Sequence, residues 1–312
     1  MRPRHGGRRP PDPTGRLLSW LRGAAWLAVA LCSAAGAAAI SVVDDRGREV
    51  ALDAPAQRVV ALAPSLTELV YAAGAGERLV GAASYSDFPP EAARLARVGD
   101  ALRIDFERVL SLAPDLVVGW KSGNRVADIE RLESLGFRVL VFEPARLADI
   151  ERVLRALGAA TGFAVPAEAA ARTFGAQVAA LRARYQSRRT LRVFYEIWHE
   201  PLMTVNGAHI ISEVVGLCGG SNIFAAAPSL TPVVSLEELI ARRPEVVVGG
   251  RSSQSAAGFR AAWAGYRQFT ALRDVTAIYI DPNLIQRQTP RILQGARELC
   301  ERLDALRSPP AR

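Results

Sequence analysis

The stretch RVVALAPSLTELVYAAGAGERLVGAASYSDFPP, residues 58–90, decides how the chain is read. Val59 to Leu62 is a short unbroken apolar run, the mark of a strand buried on both faces. A loop at Pro64-Ser65 leads into a helix ending near Gly74, where glycine accepts the left-handed conformation of a C-cap. A second short strand follows, and the stretch closes on Tyr85-Ser86-Asp87-Phe88-Pro89-Pro90. Tyr85 reads either as a core tyrosine in an ordinary turn or as a flat apolar face held out to a ligand on a stiffened loop.

Outward from this unit the alternation continues. A hairpin at 41–52 precedes it, turning at Asp45-Arg46-Gly47. A helix at 105–113, stopped by Pro114, precedes a strand at 116–119 with Trp120 at its C-terminal exit. Helix 126–135, strand 138–142 and helix 147–157 follow, and strands alternating with helices predict a parallel sheet. From 166 to 188 no strand signal intervenes. Ala170, Phe174, Val178, Leu181 and Tyr185 make one helical stripe, on a helix of ~30 Å. It reads as a rigid strut between two lobes, with a long surface helix of one domain as the alternative. The pattern then restarts: strand 191–197 running into Trp198, helix 210–217 ending at Cys218, helix 235–242, strands 245–248 and 279–281, and helix 291–306.

The second half echoes the first. Phe106-Glu-Arg-Val-Leu-Ser-Leu-Ala-Pro-Asp-Leu-Val-Val-Gly aligns without gaps, at an offset of 130, with Leu236-Glu-Glu-Leu-Ile-Ala-Arg-Arg-Pro-Glu-Val-Val-Val-Gly. The fold class expected is therefore α/β: two Rossmann-like lobes, 40–165 and 189–312, joined by one long helix at 166–188. Such sheets bind ligands beyond the C-terminal ends of their strands, which places Tyr85, Trp120 and Trp198 around a cleft. The repeat also twins Glu107 and Glu237 in the first turns of their helices. The helix dipole alone favours acids there, and paired surface acids also suit paired cations on a symmetric partner.

Composition narrows the function. The net charge of +8 owes much to residues 1–39, with six arginines and one acid; 33 basic and 30 acidic residues remain, which excludes a polyanion-binding protein. Residues 1–39 themselves read as a leader, basic first, apolar at 24–31, then small residues to Ala39, with cleavage near Ala39 and export to the periplasm. Lipid anchoring at Cys32 is the alternative. No G-x-S-x-G elbow or phosphate-binding glycine loop is present, and Gly74-Ala75-Gly76 ends a helix where a dinucleotide fingerprint would begin one. After the leader only His199 and His209 remain, too few for a metal cluster. The reading is a binding protein, not an enzyme, with no cofactor and no resident metal.

The segments ALAPSLTELVYAAG, GAASYSDFPPEA, DFERVLSLAPDLVVGWKSGN, EVVGLCGGSNIF, PVVSLEELIARRPEVVV and TPRILQGARELC resemble the periplasmic vitamin B12-binding proteins of ABC importers, within the wider cobalamin, haem and siderophore class. The resemblance spans roughly 57–305. It implies a class III periplasmic binding protein, a monomer, holding a corrinoid as transported ligand in its cleft and handing it to an ABC permease dimer in the inner membrane. It casts Tyr85, Trp120 and Trp198 as cleft aromatics, Ser65 as a small wall residue, Arg287 as a polar cleft contact, Asn283 as a ligand-binding position of the last loop, and Glu107 and Glu237 as permease-docking acids. Ala101, Thr231 and Asn283 depart from the family's tryptophan, tryptophan and aspartate, which bears on which ring is carried; a haem or ferric-siderophore carrier is the alternative. It also implies a Cys218–Cys300 disulfide, and an oxidising compartment favours the same pairing.

Overall fold

The computed structural model describes residues 40–100, 102–250 and 255–307. The leader, its cleavage point and Ala101 lie outside the described residues. Strands β1 (Ile40–Val43) and β2 (Glu49–Leu52) pair as an antiparallel hairpin. The first lobe then runs β3 (Val59–Ala61), α1 (Pro64–Ala72), β4 (Leu79–Ala82), β5 (Ala96–Arg97), α2 (Phe106–Leu112), β6 (Leu116–Trp120), α3 (Val126–Ser134), β7 (Val139–Phe142) and α4 (Leu147–Thr161). Its strands lie in the order β5-β4-β3-β6-β7, every neighbouring pair parallel. Proline suits the first helical position, where its missing N–H costs nothing. The helix therefore starts at Pro64, and Ser65 sits in its first turn instead of in a loop.

Helix α5 (Ala164–Tyr185) connects this lobe to the second. The second lobe comprises β8 (Leu191–Glu196), α6 (Ile210–Leu217), β9 (Gly220–Asn222), α7 (Leu236–Arg242), β10 (Val246–Gly249), α8 (Ala256–Ala264), β11 (Thr276–Tyr279), α9 (Pro282–Ile285) and α10 (Ile292–Ala305). Its sheet has the order β11-β10-β8-β9 and is again parallel throughout. The last strand sits earlier than the sequence pattern placed it, because Asp281 is spent as the N-cap of α9.

Each sheet is covered on both faces, as buried Val-rich strands require. One core cluster under the first sheet contains Val60, Leu62, Val109 and Val117. A second, under the other sheet, contains Phe194, Phe224, Phe259 and Trp263. A third runs without a break from Val42 through the connecting helix to Leu303, carried by Ala167, Ala171, Phe174, Val178 and Tyr185. The connector is thus part of a shared core, and its stripe turns slightly from the sequence reading, with Ala170 and Leu181 at its half-buried edges.

The repeat has a chemical grammar. Helices α2 and α7 begin on Asp105 and Ser235 caps and end on the left-handed, non-glycine residues Ala113 (φ 43°) and Arg243 (φ 48°), 130 positions apart. In each lobe an arginine at the start of the neighbouring strand closes the freed carbonyls: Arg58 Nε donates to Leu112 O at 3.0 Å, and Arg192 Nε to Arg243 O at 2.8 Å. Asp115 and Glu245 accept the backbone N–H of the same arginines.

Cys218 and Cys300 form a disulfide that ties the end of α6 to α10, and both are fully buried. Closing a loop of 82 residues stabilises by about 4 kcal/mol in the chain-entropy account. Replacing both cysteines by alanine is expected to lose that amount in a urea titration; an unchanged midpoint would contradict it.

Candidate functional site

A cavity of about 610 Å³ opens between the lobes, within the size range of small-molecule sites. The first lobe lines it with Trp120, Lys121, Ser122 and Glu143 through Ala145; the second with Ile197, Ala208 through Ile211, Leu230, Thr231, Gln286 and Gln288. Trp120 ends β6, where it registers against Phe142 at the end of β7. Three contacts fix Trp120, one through its backbone and two through its indole. Asn124 Oδ1 accepts from Trp120 N at 2.7 Å, while Asn124 Nδ2 donates to Leu62 O, just past the end of β3. Glu143 accepts from Trp120 Nε1 at 3.3 Å and from Ser122 N at 2.8 Å. Gly123 lies flat under the ring, where a Cβ would come within 1.8 Å of it. The Trp-x-x-Gly-Asn spacing is therefore the geometry that presents an indole to the cleft. Asp45, in the turn after β1, backs it by accepting from Glu143 N and, through its carbonyl, from Lys121 Nζ.

The other predicted aromatics stand outside this cavity. Tyr85 is 78% exposed at φ 65°, and Trp198 is 51% exposed with its Nε1 donating to Glu200 O. Ser65 is buried in the first turn of α1. Asn283 turns back on Asp281, to which both its backbone and side-chain nitrogens donate. Glu107 and Glu237 sit exposed in the first turns of α2 and α7, and neither has an ion pair among the described residues.

Arg287 is committed across the lobes. Its guanidinium donates to Glu68 Oε1 at 2.8 Å, Asp87 Oδ1 at 2.7 Å and Tyr85 O at 3.3 Å. Glu68, buried in α1, also accepts from Arg291 at 3.1 Å and Thr289 Oγ1 at 2.9 Å. Arg291 stacks over Phe88 at 3.8 Å. Burial works against the Arg287 charge, and Asp87 and Glu68 more than offset it. Burial alone would raise the Asp87 carboxyl; its pairing with Arg287 outweighs this and holds it below the usual carboxylate range. The Tyr85 loop of one lobe is thus clasped by the last loop of the other.

Neither histidine belongs to a metal cluster among the described residues. His199 Nδ1 lies 3.2 Å from Glu196 Oε1, a buried carboxylate that also accepts from Trp263 Nε1 at 2.6 Å. His209 caps α6: its Nδ1 accepts from Ile211 N at 3.2 Å, and burial pushes its pKa down to about 4. Sequence reading missed Glu143, His209, Gln286 and Gln288 in the wall and Glu68 in the clasp. Glu143 had a usable signal, since it leaves β7 beside the exit of Trp120.

The periplasmic binding protein pattern matches residues 59–284. The chain belongs to the periplasmic binding protein family. Family relatives include the vitamin B12-binding protein of Vibrio parahaemolyticus, 35% identical over 253 residues, covering 81% of this chain and 91% of that one. The vitamin B12-binding protein of Pectobacterium carotovorum is 35% identical over 252 residues, with 80% and 89% covered. Among solved structures of the family, vitamin B12-binding protein BtuF of Vibrio cholerae superposes with a TM-score of 0.73 at 32% identity, covering 82% of this chain and 99% of that chain. A haem-binding member from Pseudomonas aeruginosa superposes at 0.67 with 26% identity, covering 82% and 95%. No helix among the described residues is long and apolar enough to cross a membrane.

Proposed function

We propose that this protein captures a corrinoid, vitamin B12 or a close relative, in the interlobe cleft and delivers it to an ABC permease. The observation that carries the reading is the fixed Trp120 indole facing the apolar Ile197, Ile210, Ile211 and Leu230 across the cavity. A flat aromatic held in place suits a flat, largely apolar macrocycle. The vitamin B12-binding relatives support the same ligand class. The protein makes and breaks no bond: shape and contact select the ligand, and docking releases it. It acts as a monomer in the periplasm, with residues 1–39 directing export.

Calorimetric titration with cobalamin, cobinamide, haem and a ferric siderophore tests this. Heat from the two corrinoids supports the reading, and binding of haem alone overturns it. Haem is the second reading, favoured by the Pseudomonas aeruginosa relative. Against it, haem iron needs an axial side chain from the protein: His209 Nδ1 faces a donor, and His199, whose Nδ1 faces the Glu196 carboxylate, does not line the cavity.

Glu107 and Glu237 serve as the docking pair, one per lobe, on equivalent helices. Exposed, unpaired carboxylates govern encounter with a cationic partner more than they govern the cleft. Glu107→Ala with Glu237→Ala is expected to leave the dissociation constant within twofold and abolish uptake into proteoliposomes that carry the permease. A loss of ligand affinity in the pair would remove the docking role.

A further inference from the structure

The cap at His209 leaves one polar group of its ring for the cleft. His209 Nδ1 accepts the Ile211 N–H, and a nitrogen that accepts carries a lone pair, so the proton of the neutral ring sits on Nε2. No group among the described residues pairs with Nε2. The same wall carries Gln286, whose Nε2 donates to Tyr195 Oη at 3.3 Å and Gly250 O at 3.5 Å, which leaves its Oε1 as an acceptor.

We propose that His209 is a specificity-determining residue, whose Nε2–H donates a hydrogen bond to an acceptor oxygen on the rim of the bound ring and does not ligate its metal. This rests on the corrinoid reading above. A metal-bound histidine donates its second N–H to an acceptor, which fixes the tautomer that ligates. At His209 the second nitrogen faces a donor, the inverse arrangement. Ligation through Nε2 would need the proton moved to Nδ1, against the Ile211 N–H, with loss of the cap. Protonation would break the cap in the same way, and burial keeps the ring neutral. A donor and an acceptor on one wall match a primary amide, which has both. A carboxylate only accepts, and would face the Gln286 oxygen unfavourably. This wall therefore selects a ring rimmed with amides over one rimmed with acids, while Lys121 and Glu143 on the opposite lobe contribute one cation and one anion.

His209→Asn tests the proposal, because asparagine caps a helix at least as well while its shorter side chain withdraws the donor from the cleft. The probes are aquocyanocobinamide, with an amide rim and an exchangeable axial water, and cobyrinic acid, the same macrocycle with a carboxylate rim. Wild-type protein is expected to prefer cobinamide and to leave its visible spectrum unshifted. The variant should keep its melting temperature and bind cobinamide about fivefold more weakly, the size of one neutral hydrogen bond. Unchanged affinity overturns the proposal. So does a shift of the cobinamide bands in wild type that the variant abolishes, since that is axial ligation. Wild type binding haem but neither corrinoid defeats the corrinoid reading alone; the variant's haem affinity then decides, and no change there defeats the donor role too. Binding of none of the rings overturns both.

Discussion

Replacing Trp120 by alanine is expected to weaken corrinoid binding by roughly thirtyfold, the ~2 kcal/mol scale of a buried aromatic anchor. No other predicted aromatic lines the cavity, so no neighbour compensates. Gly123→Ala should act in the same direction while retaining the tryptophan. The added Cβ would meet the indole at 1.8 Å, so the ring must leave its position against Glu143. Calorimetry with cobalamin measures both variants, and tryptophan fluorescence reports the displaced ring. A dissociation constant within twofold of wild type for Trp120→Ala would remove Trp120 from the site.

The second large effect concerns stability. Glu68 is a buried carboxylate receiving Arg287, Arg291 and Thr289 from the opposite lobe. Removing one partner of a buried charge pair costs about 3–5 kcal/mol; here Arg291 loses its carboxylate and Arg287 keeps only the exposed Asp87. Glu68→Ala should therefore lower the melting temperature by about 10 °C. Glu68→Gln retains an acceptor for Thr289 and should fall by less. Scanning calorimetry checks both, and a shift under 2 °C in the alanine variant would mean the lobes are held by the shared core alone. The clasp also fixes the Tyr85 loop, through the Tyr85 carbonyl and Asp87. The alanine variant should accordingly loosen that loop as well as the lobe junction.

Much of the fold was legible because it rests on local chemistry. The helix after Asp105 and its twin after Ser235 declare themselves by cap, acidic first turn and Pro-acid stop. The buried strands 116–120 and 246–249 declare themselves as valine runs. Segments without such signals were missed. Strand β9 is only Gly220-Ser221-Asn222 and is a strand because β8 pairs with it. Helix α8 is Ala- and Gly-rich, so only Phe259 and Trp263 anchor it to the core.

The sequence by itself determined the two α/β halves, their repeat and the connecting helix, since each shows as a pattern of residues close together along the chain. Only the tertiary structure decided what meets across the lobes. Arg287 and Glu68 are 219 positions apart, and nothing local distinguishes an arginine bound for a cleft from one bound for a buried carboxylate. Tyr85 and Trp120 both leave the first lobe at loops after strands, yet one stands exposed and the other lines the cavity. Side-chain direction at a strand exit is set by the contacts of the following loop, and those contacts come from elements far away in sequence.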